Sequence, residues 1–161
     1  MSTFVAEQIM RAQTIHLPAA PDEVFPLFSP LGETRWEPDW NPTMLYPTSG
    51  AAQVGTVFTT QHGSELVKIW TIISYDLERT MMSYLNLAPA SHLTRIDIAC
   101  AATGPQTTSA CVSYTLTALT PHGVAYLDNF TTEHYRAYIA SWETAITHYL
   151  THGQAHTHPH A

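Results

Sequence analysis

The sequence predicts an α+β fold: a curved antiparallel β-sheet of six or seven strands wrapped around one long C-terminal α-helix, with two short helices after the first strand. Three observations carry this reading. Residues from Thr120 to about Leu150 show apolar side chains at three- and four-residue steps. From Gln53 to Ala118 the pattern is one of alternating strands separated by short turn signals. Short connections between successive strands make an antiparallel meander, and nothing else in the chain is large enough to cover the helix or the sheet.

The first strand spans about Val5 to Leu17, with Ile9, Arg11, Gln13, Ile15 and Leu17 sharing a face. Pro21, Asp22 and Glu23 then open a short helix whose dipole favours acids in the first turn, with Val24, Phe25, Leu27 and Phe28 as its apolar side. A second helical turn is expected over Leu31 to Arg35. The loop Gly32-Glu-Thr-Arg-Trp-Glu-Pro-Asp-Trp-Asn-Pro42 is far more aromatic than a plain connector. Thr43 to Tyr46 makes a short strand. Further strands are expected at Val54–Thr60, Leu66–Tyr75, Met81–Leu87, His92–Cys100 and Thr108–Ala118. Thr120 caps the closing helix and Pro121 takes its first position. One continuous helix of about 28 residues, ~40 Å long, follows. One stripe runs Leu127, Phe130, His134, Tyr138, Ser141 and Ala145. A second runs Tyr135, Ile139, Trp142, Ile146 and Leu150.

The chain of 161 residues suits a single domain over residues 1–150, followed by a flexible His-rich tail over 151–161. A formal charge of −7, with six Lys and Arg scattered singly, argues against nucleic acid and against an anionic membrane surface. No apolar run is long enough to insert in a membrane, and the expected location is the cytoplasm. Pairing Ile98 with Val112 and Ile96 with Tyr114 puts Cys100 and Cys111 on opposite faces, so two free thiols are expected. No cofactor motif, nucleophile constellation or phosphate loop is present.

The motifs Pro21-x-x-Val24-Phe25, Gly32-Glu33-x-x-Trp36-x-Pro38-x-Trp40-x-Pro42, Gly55-x-Val57-Phe58, Trp70-Thr71-Ile72 and Trp142-x-x-Ala145-Ile146-x-x-Tyr149-Leu150, taken in order, resemble the SRPBCC superfamily. This START-like, helix-grip group includes the birch pollen allergen and polyketide cyclase/dehydratase-like proteins. The resemblance spans about residues 5 to 150, and its Trp-rich block is similar to a bacterial branch. It implies an apolar cavity between sheet and helix for a lipid, sterol, polyketide or other hydrophobic molecule.

The residues expected near that cavity are Phe58, Trp70, Tyr84, Ile96, Tyr114, Phe130, His134 and Tyr138, with Trp36 and Trp40 at its mouth. For each, the alternative is plain core packing. Trp70 shares strand parity with Lys68, which would suit the outer face unless the strand carries a bulge. His134 and Tyr114 are the candidate acid/base groups of a polyketide cyclase/dehydratase-like enzyme; His134 as a structurally bonded buried histidine is the competing reading. Glu33 and Arg35 read either as a charged gate or as a capping or surface ion pair that fixes the loop, and for Glu33 the resemblance also implies a buried structural hydrogen bond. His148 and His152, one turn apart, could chelate an adventitious metal, but lack the further ligands of a dedicated site. The leading functional expectation is binding or carriage of a hydrophobic small molecule by a protein that uses no cofactor and can form a homodimer.

Overall fold

A computed structural model of the chain describes residues 4–155. Seven strands form one antiparallel sheet in the order β1-β7-β6-β5-β4-β3-β2. They are β1 (Gln8–Leu17), β2 (Thr43–Tyr46), β3 (Val57–Thr60), β4 (Lys68–Asp76), β5 (Met81–Ala88), β6 (His92–Gly104) and β7 (Thr107–Ala118). Between β1 and β2 lie the short helix α1 (Pro21–Val24) and 3-10 turns at Phe25–Phe28 and Gly32–Arg35. The chain closes with α2 (Pro121–Asn129) and α3 (Thr132–His152).

The register of β6 and β7 pairs Ile98 with Val112 and Ile96 with Tyr114. Cys100 is therefore buried and Cys111 exposed, both free. Burial pushes the Cys100 thiol up to about 12, which makes it a poor nucleophile. On β1 the buried or half-buried residues are Ile9, Arg11, Gln13, Ile15 and Leu17, so the structure decides an inward face that the imperfect alternation leaves open. On the outer face Arg95 pairs with Asp97 at 3.1 Å, and Ser83 Oγ donates to Asp97 Oδ1.

The closing segment corrects the expectation of one continuous helix. Phe130 leaves helical geometry at φ −88° and ψ 63°, and Thr131 caps a new helix by accepting from the His134 amide at 3.1 Å. The Thr131-Thr132-Glu133 run is itself a start signal, with an N-cap hydroxyl and a first-turn acid. The break turns the Phe130 ring inward, where it is 6% exposed, and frees its carbonyl to accept from Arg11 Nε at 3.2 Å. The helix then buries the second stripe, Tyr135, Ile139, Trp142 and Ile146. It runs to His152, two residues beyond the boundary expected at residue 150, and stops on Gly153, whose left-handed φ of 72° is the usual glycine stop. His156, His158 and His160 lie outside the described residues.

Helix α2 is pressed onto the β5–β6 turn. Its Gly123 is so close that a Cβ would stand 1.9 Å from the Ser91 carbonyl oxygen. In an exposed helix Gly→Ala gains about 1 kcal/mol. Here overpacking against backbone outweighs that gain. Gly123→Ala is expected to lower stability by about 1–3 kcal/mol in urea unfolding.

Candidate functional site

A cavity of about 380 Å³ lies between the inner face of the sheet and the two closing helices. Its wall is built row by row from the register. Trp70 pairs with Asn86, and Asn86 with Thr94; one inward row further along, Tyr84 pairs with Ile96 and Ile96 with Tyr114. Phe130, His134, Tyr138 and Trp142 close the opposite side, and the Gly32–Arg35 turn and its following loop supply Glu33, Trp36, Glu37, Asp39 and Trp40.

Nine of the ten residues expected near the cavity border it: Trp36, Trp40, Trp70, Tyr84, Ile96, Tyr114, Phe130, His134 and Tyr138. Phe58 does not. It is fully buried behind Trp70, with the rings stacked at 5.4 Å, so it supports the wall without facing the space. Trp70 itself points inward together with Lys68 and Ile72, and the bulge in β4 falls after Ile72. Lys68 shares that face because it sits at the half-buried end of the strand, where its stem can pack while its amine reaches the rim. Trp36 is not at the mouth: it is 1% exposed, its indole donates to the Leu27 carbonyl at 2.7 Å, and its ring meets Trp142 edge-on at 5.8 Å. Trp40 is half-buried and donates to the Pro30 carbonyl at 2.7 Å.

His134 is exposed at the rim, not buried, because the α3 stripe that turns into the core is the Tyr135 one. Phe130 touches both the His134 ring (5.6 Å) and the Tyr114 ring (6.0 Å), while no ring contact joins His134 to Tyr114. The candidate acid/base pair is thus not brought together. His148 and His152 face each other with ring centroids 4.4 Å apart, and among the described residues no cluster of three or more metal-ligating side chains exists.

The most consequential group is Glu33, for which the sequence offers a gate, a capping or surface ion pair, or a buried structural hydrogen bond. Glu33 faces the cavity, and Arg35 is exposed, with no salt bridge between them among the described residues. Gly32 makes this placement possible, since a Cβ there would stand 1.9 Å from the Pro26 carbonyl oxygen. Burial holds the Glu33 carboxyl well above its ordinary 4.5, and the nearby charge of Glu37 adds to the rise. The residue as a whole is half-buried, and it borders the cavity. Burial also pushes the phenols of Tyr84 and Tyr114 well above 10, with the Glu33 charge contributing to both. Tyr138 is pushed up to about 12, again mainly by burial. That burial acts at its hydroxyl, although 42% of the residue as a whole is exposed. Tyr114 and Tyr138 interact through their side chains in the sense that raises the first and lowers the second.

Two further polar lining residues carry no recognisable sequence signal. His92 is 4% exposed, stacks on Tyr126 at 3.9 Å, and bonds Ser91 Oγ through Nδ1 at 2.7 Å. Burial, with the charge of Lys68, lowers it to about 4, so it is neutral at physiological pH. Asn86 is 7% exposed and its Oδ1 has no hydrogen-bond partner. Only strand pairing shows that these residues face the same space as the aromatic rings.

Comparison with solved structures identifies this architecture. Norcoclaurine synthase from Thalictrum flavum superimposes with a TM-score of 0.66 at 14% identity, over 94% of this chain and 99% of that one. The chain adopts the START-like helix-grip fold. Mll3558 from Rhizobium loti shares it with a TM-score of 0.60 at 14% identity, over 88% of this chain and 99% of that one. DynU16, from the dynemicin biosynthetic locus, matches with a TM-score of 0.59 at 11% identity, over 90% of this chain and 48% of that one. No protein-family model matches the sequence, and no curated protein does. At these identities the likeness shows the helix-grip fold.

The two perturbed groups have opposite signatures in stability. Between about 4.5 and its raised folded value, Glu33 keeps a proton that the unfolded chain has lost, so stability falls as pH rises. Between 6.5 and about 4, the unfolded chain carries a proton that folded His92 refuses, so stability falls as pH falls. Urea unfolding from about pH 4 to 8 should show Glu33→Gln gaining on the wild type as pH rises above 4.5. His92→Gln should flatten the loss between 6.5 and 4.

Proposed function

We propose that the protein binds or carries a hydrophobic small molecule in the cavity between its sheet and closing helices. The observation that carries this reading is the half-open cavity of about 380 Å³ bordered by Trp36, Trp40, Trp70, Tyr84, Tyr114, Tyr138 and Trp142. Large rings that border a void forgo contacts they would make in a filled core. A bound aromatic or alicyclic body restores those contacts and removes apolar area from water at ~25 cal/mol per Å². The volume falls within the range of small-molecule sites, and the helix-grip fold commonly takes hydrophobic ligands. Among the described residues no helix is long and apolar enough to cross a membrane.

The alternative, a polyketide cyclase/dehydratase-like activity using His134 and a tyrosine, has less support. His134 stands at the rim and Tyr114 in the interior, each against Phe130. For a binder, His134→Gln leaves affinity largely intact; for an acid/base enzyme it costs turnover about 10²–10⁴-fold.

A neutral bicyclic probe, 1-naphthalenemethanol, is expected to quench tryptophan fluorescence and raise the melting temperature. At 100 times its Kd the gain is about 2.7 kcal/mol. Thr94→Phe, which places a ring in the cavity wall, is expected to abolish that shift. A wild-type melting temperature that stays constant with this probe and with lipid, sterol and polyketide mixtures would refute the reading.

A further inference from the structure

The polar groups around the cavity are not balanced. Its indole donors are largely spent on the protein: Trp36 Nε1 on the Leu27 carbonyl, Trp40 Nε1 on the Pro30 carbonyl and Trp70 Nε1 on Thr60 Oγ1. The Tyr84 hydroxyl donates to the Phe28 carbonyl at 2.7 Å. Of the acids in the lining, Glu33 stands without a protein partner among the described residues. The Glu33 carboxyl makes no hydrogen bond or salt bridge among the described residues, and Asn86 Oδ1 is an orphaned acceptor in a residue 7% exposed. The ring faces of Trp70, Tyr84, Tyr114 and Trp142 add negative quadrupole potential.

Charge follows the same direction. Glu33, Glu37 and Asp39 border the cavity against the single full cation Lys68. Lys68 lies four residues along β4 from Ile72, the partner of Tyr84, or about 13 Å at strand rise. It makes no salt bridge among the described residues. An acid on the cavity wall with no salt-bridge partner among the described residues, set among the π faces of the lining rings, is complementary to a donor-only cation. An ammonium group has three donors and no acceptor.

We propose that the cavity selects a protonated aromatic amine, its ammonium group answering the Glu33 carboxyl and its ring body packing among the tryptophan and tyrosine faces. This rests on the small-molecule reading above and narrows its ligand class. The carboxyl surrenders its proton on binding, because an adjacent cation favours the charged form that burial disfavours. Affinity for the amine therefore rises with pH until Glu33 is ionised in the empty protein. The other titratable groups facing this space are Tyr84, Tyr114 and Tyr138 beside Glu33, Glu37 on its own loop, and Asp39, His62, Lys68, His92, Tyr126 and His134 towards the rim.

The test compares 1-naphthylmethylamine with its neutral analogue 1-naphthalenemethanol by calorimetry. The wild type is expected to prefer the amine by about tenfold or more. The amine's affinity should rise between about pH 5 and 8 while the alcohol's stays level. Titrations in two buffers of different ionisation enthalpy should show proton release with the amine alone. In Glu33→Gln the ratio of the two affinities should fall to about one, and the pH dependence should vanish. Alcohol binding equal to or tighter than amine binding would overturn this inference and leave the small-molecule reading standing. A preference that persists in Glu33→Gln would overturn the role given to Glu33. Binding of neither probe would overturn this inference, and the small-molecule reading falls with it only when the lipid, sterol and polyketide mixtures fail as well. Should the variant fail to fold, the wild-type pH profile and proton release decide alone.

Discussion

Everything in this structure depends on how α3 seats on the sheet. Tyr135, Ile139, Trp142 and Ile146 descend one helical face, each at most 6% exposed. Full burial of such side chains stabilises by about 1.5–3 kcal/mol each. The Tyr135 hydroxyl donates to the Val112 carbonyl, joining the N-terminal turn of α3 to the backbone of β7. At the other side Glu143 Oε2 accepts from the His16 amide at 2.8 Å, which ties the helix to β1. With the helix held at these points, its neighbouring stripe of His134, Tyr138 and Ser141 is directed away from the sheet contact, and Tyr138 is left facing the cavity. The cavity is the space this seating does not fill.

The short segment between β1 and β2 shapes that space from the other side. Its anchors are hydrogen bonds from large aromatic side chains to backbone carbonyls: Tyr84 to Phe28, Trp36 to Leu27 and Trp40 to Pro30. Each ring closes a wall and at the same time satisfies a carbonyl that an irregular segment would leave unpaired. The consequence is electrostatic. Donors consumed in building the wall are unavailable inside it, while the Glu33 carboxyl on the same segment is left without a protein partner among the described residues. A cavity assembled from tryptophan, tyrosine and one unpaired acid is apolar in area but has a preferred sign of charge.

Much of the fold was legible in the sequence because period-two alternation and turn residues are local signals. The strand pairing of Ile98 with Val112, the two free cysteines and the cap at Thr120 all follow from local patterning. The division of the closing helix was less visible. Thr131 is a good cap, but the apolar spacing runs unbroken through Phe130, so periodicity alone favours continuity. Lys68 and Trp70 misled for another reason: a long amphipathic side chain at a strand end does not report which face is buried.

By itself the sequence determined the order of elements, the alternation that selects the sheet's inner face, and the supply of aromatic residues destined for the interior. Only the tertiary structure decided which of those rings border a void. Phe58 and Trp70 are equally aromatic and equally inward, yet the stacking of one behind the other leaves only Trp70 on the cavity. It also decided that Glu33 faces inward unpaired while His134 stands at the rim. The reason is physical: a residue's type and spacing set which face it occupies, but its solvent, its partners and its charge state depend on elements far away in the chain. For Glu33 those are β5, β7 and α3, which bring Tyr84, Tyr114 and Tyr138 around a carboxyl that no local pattern shows to be buried.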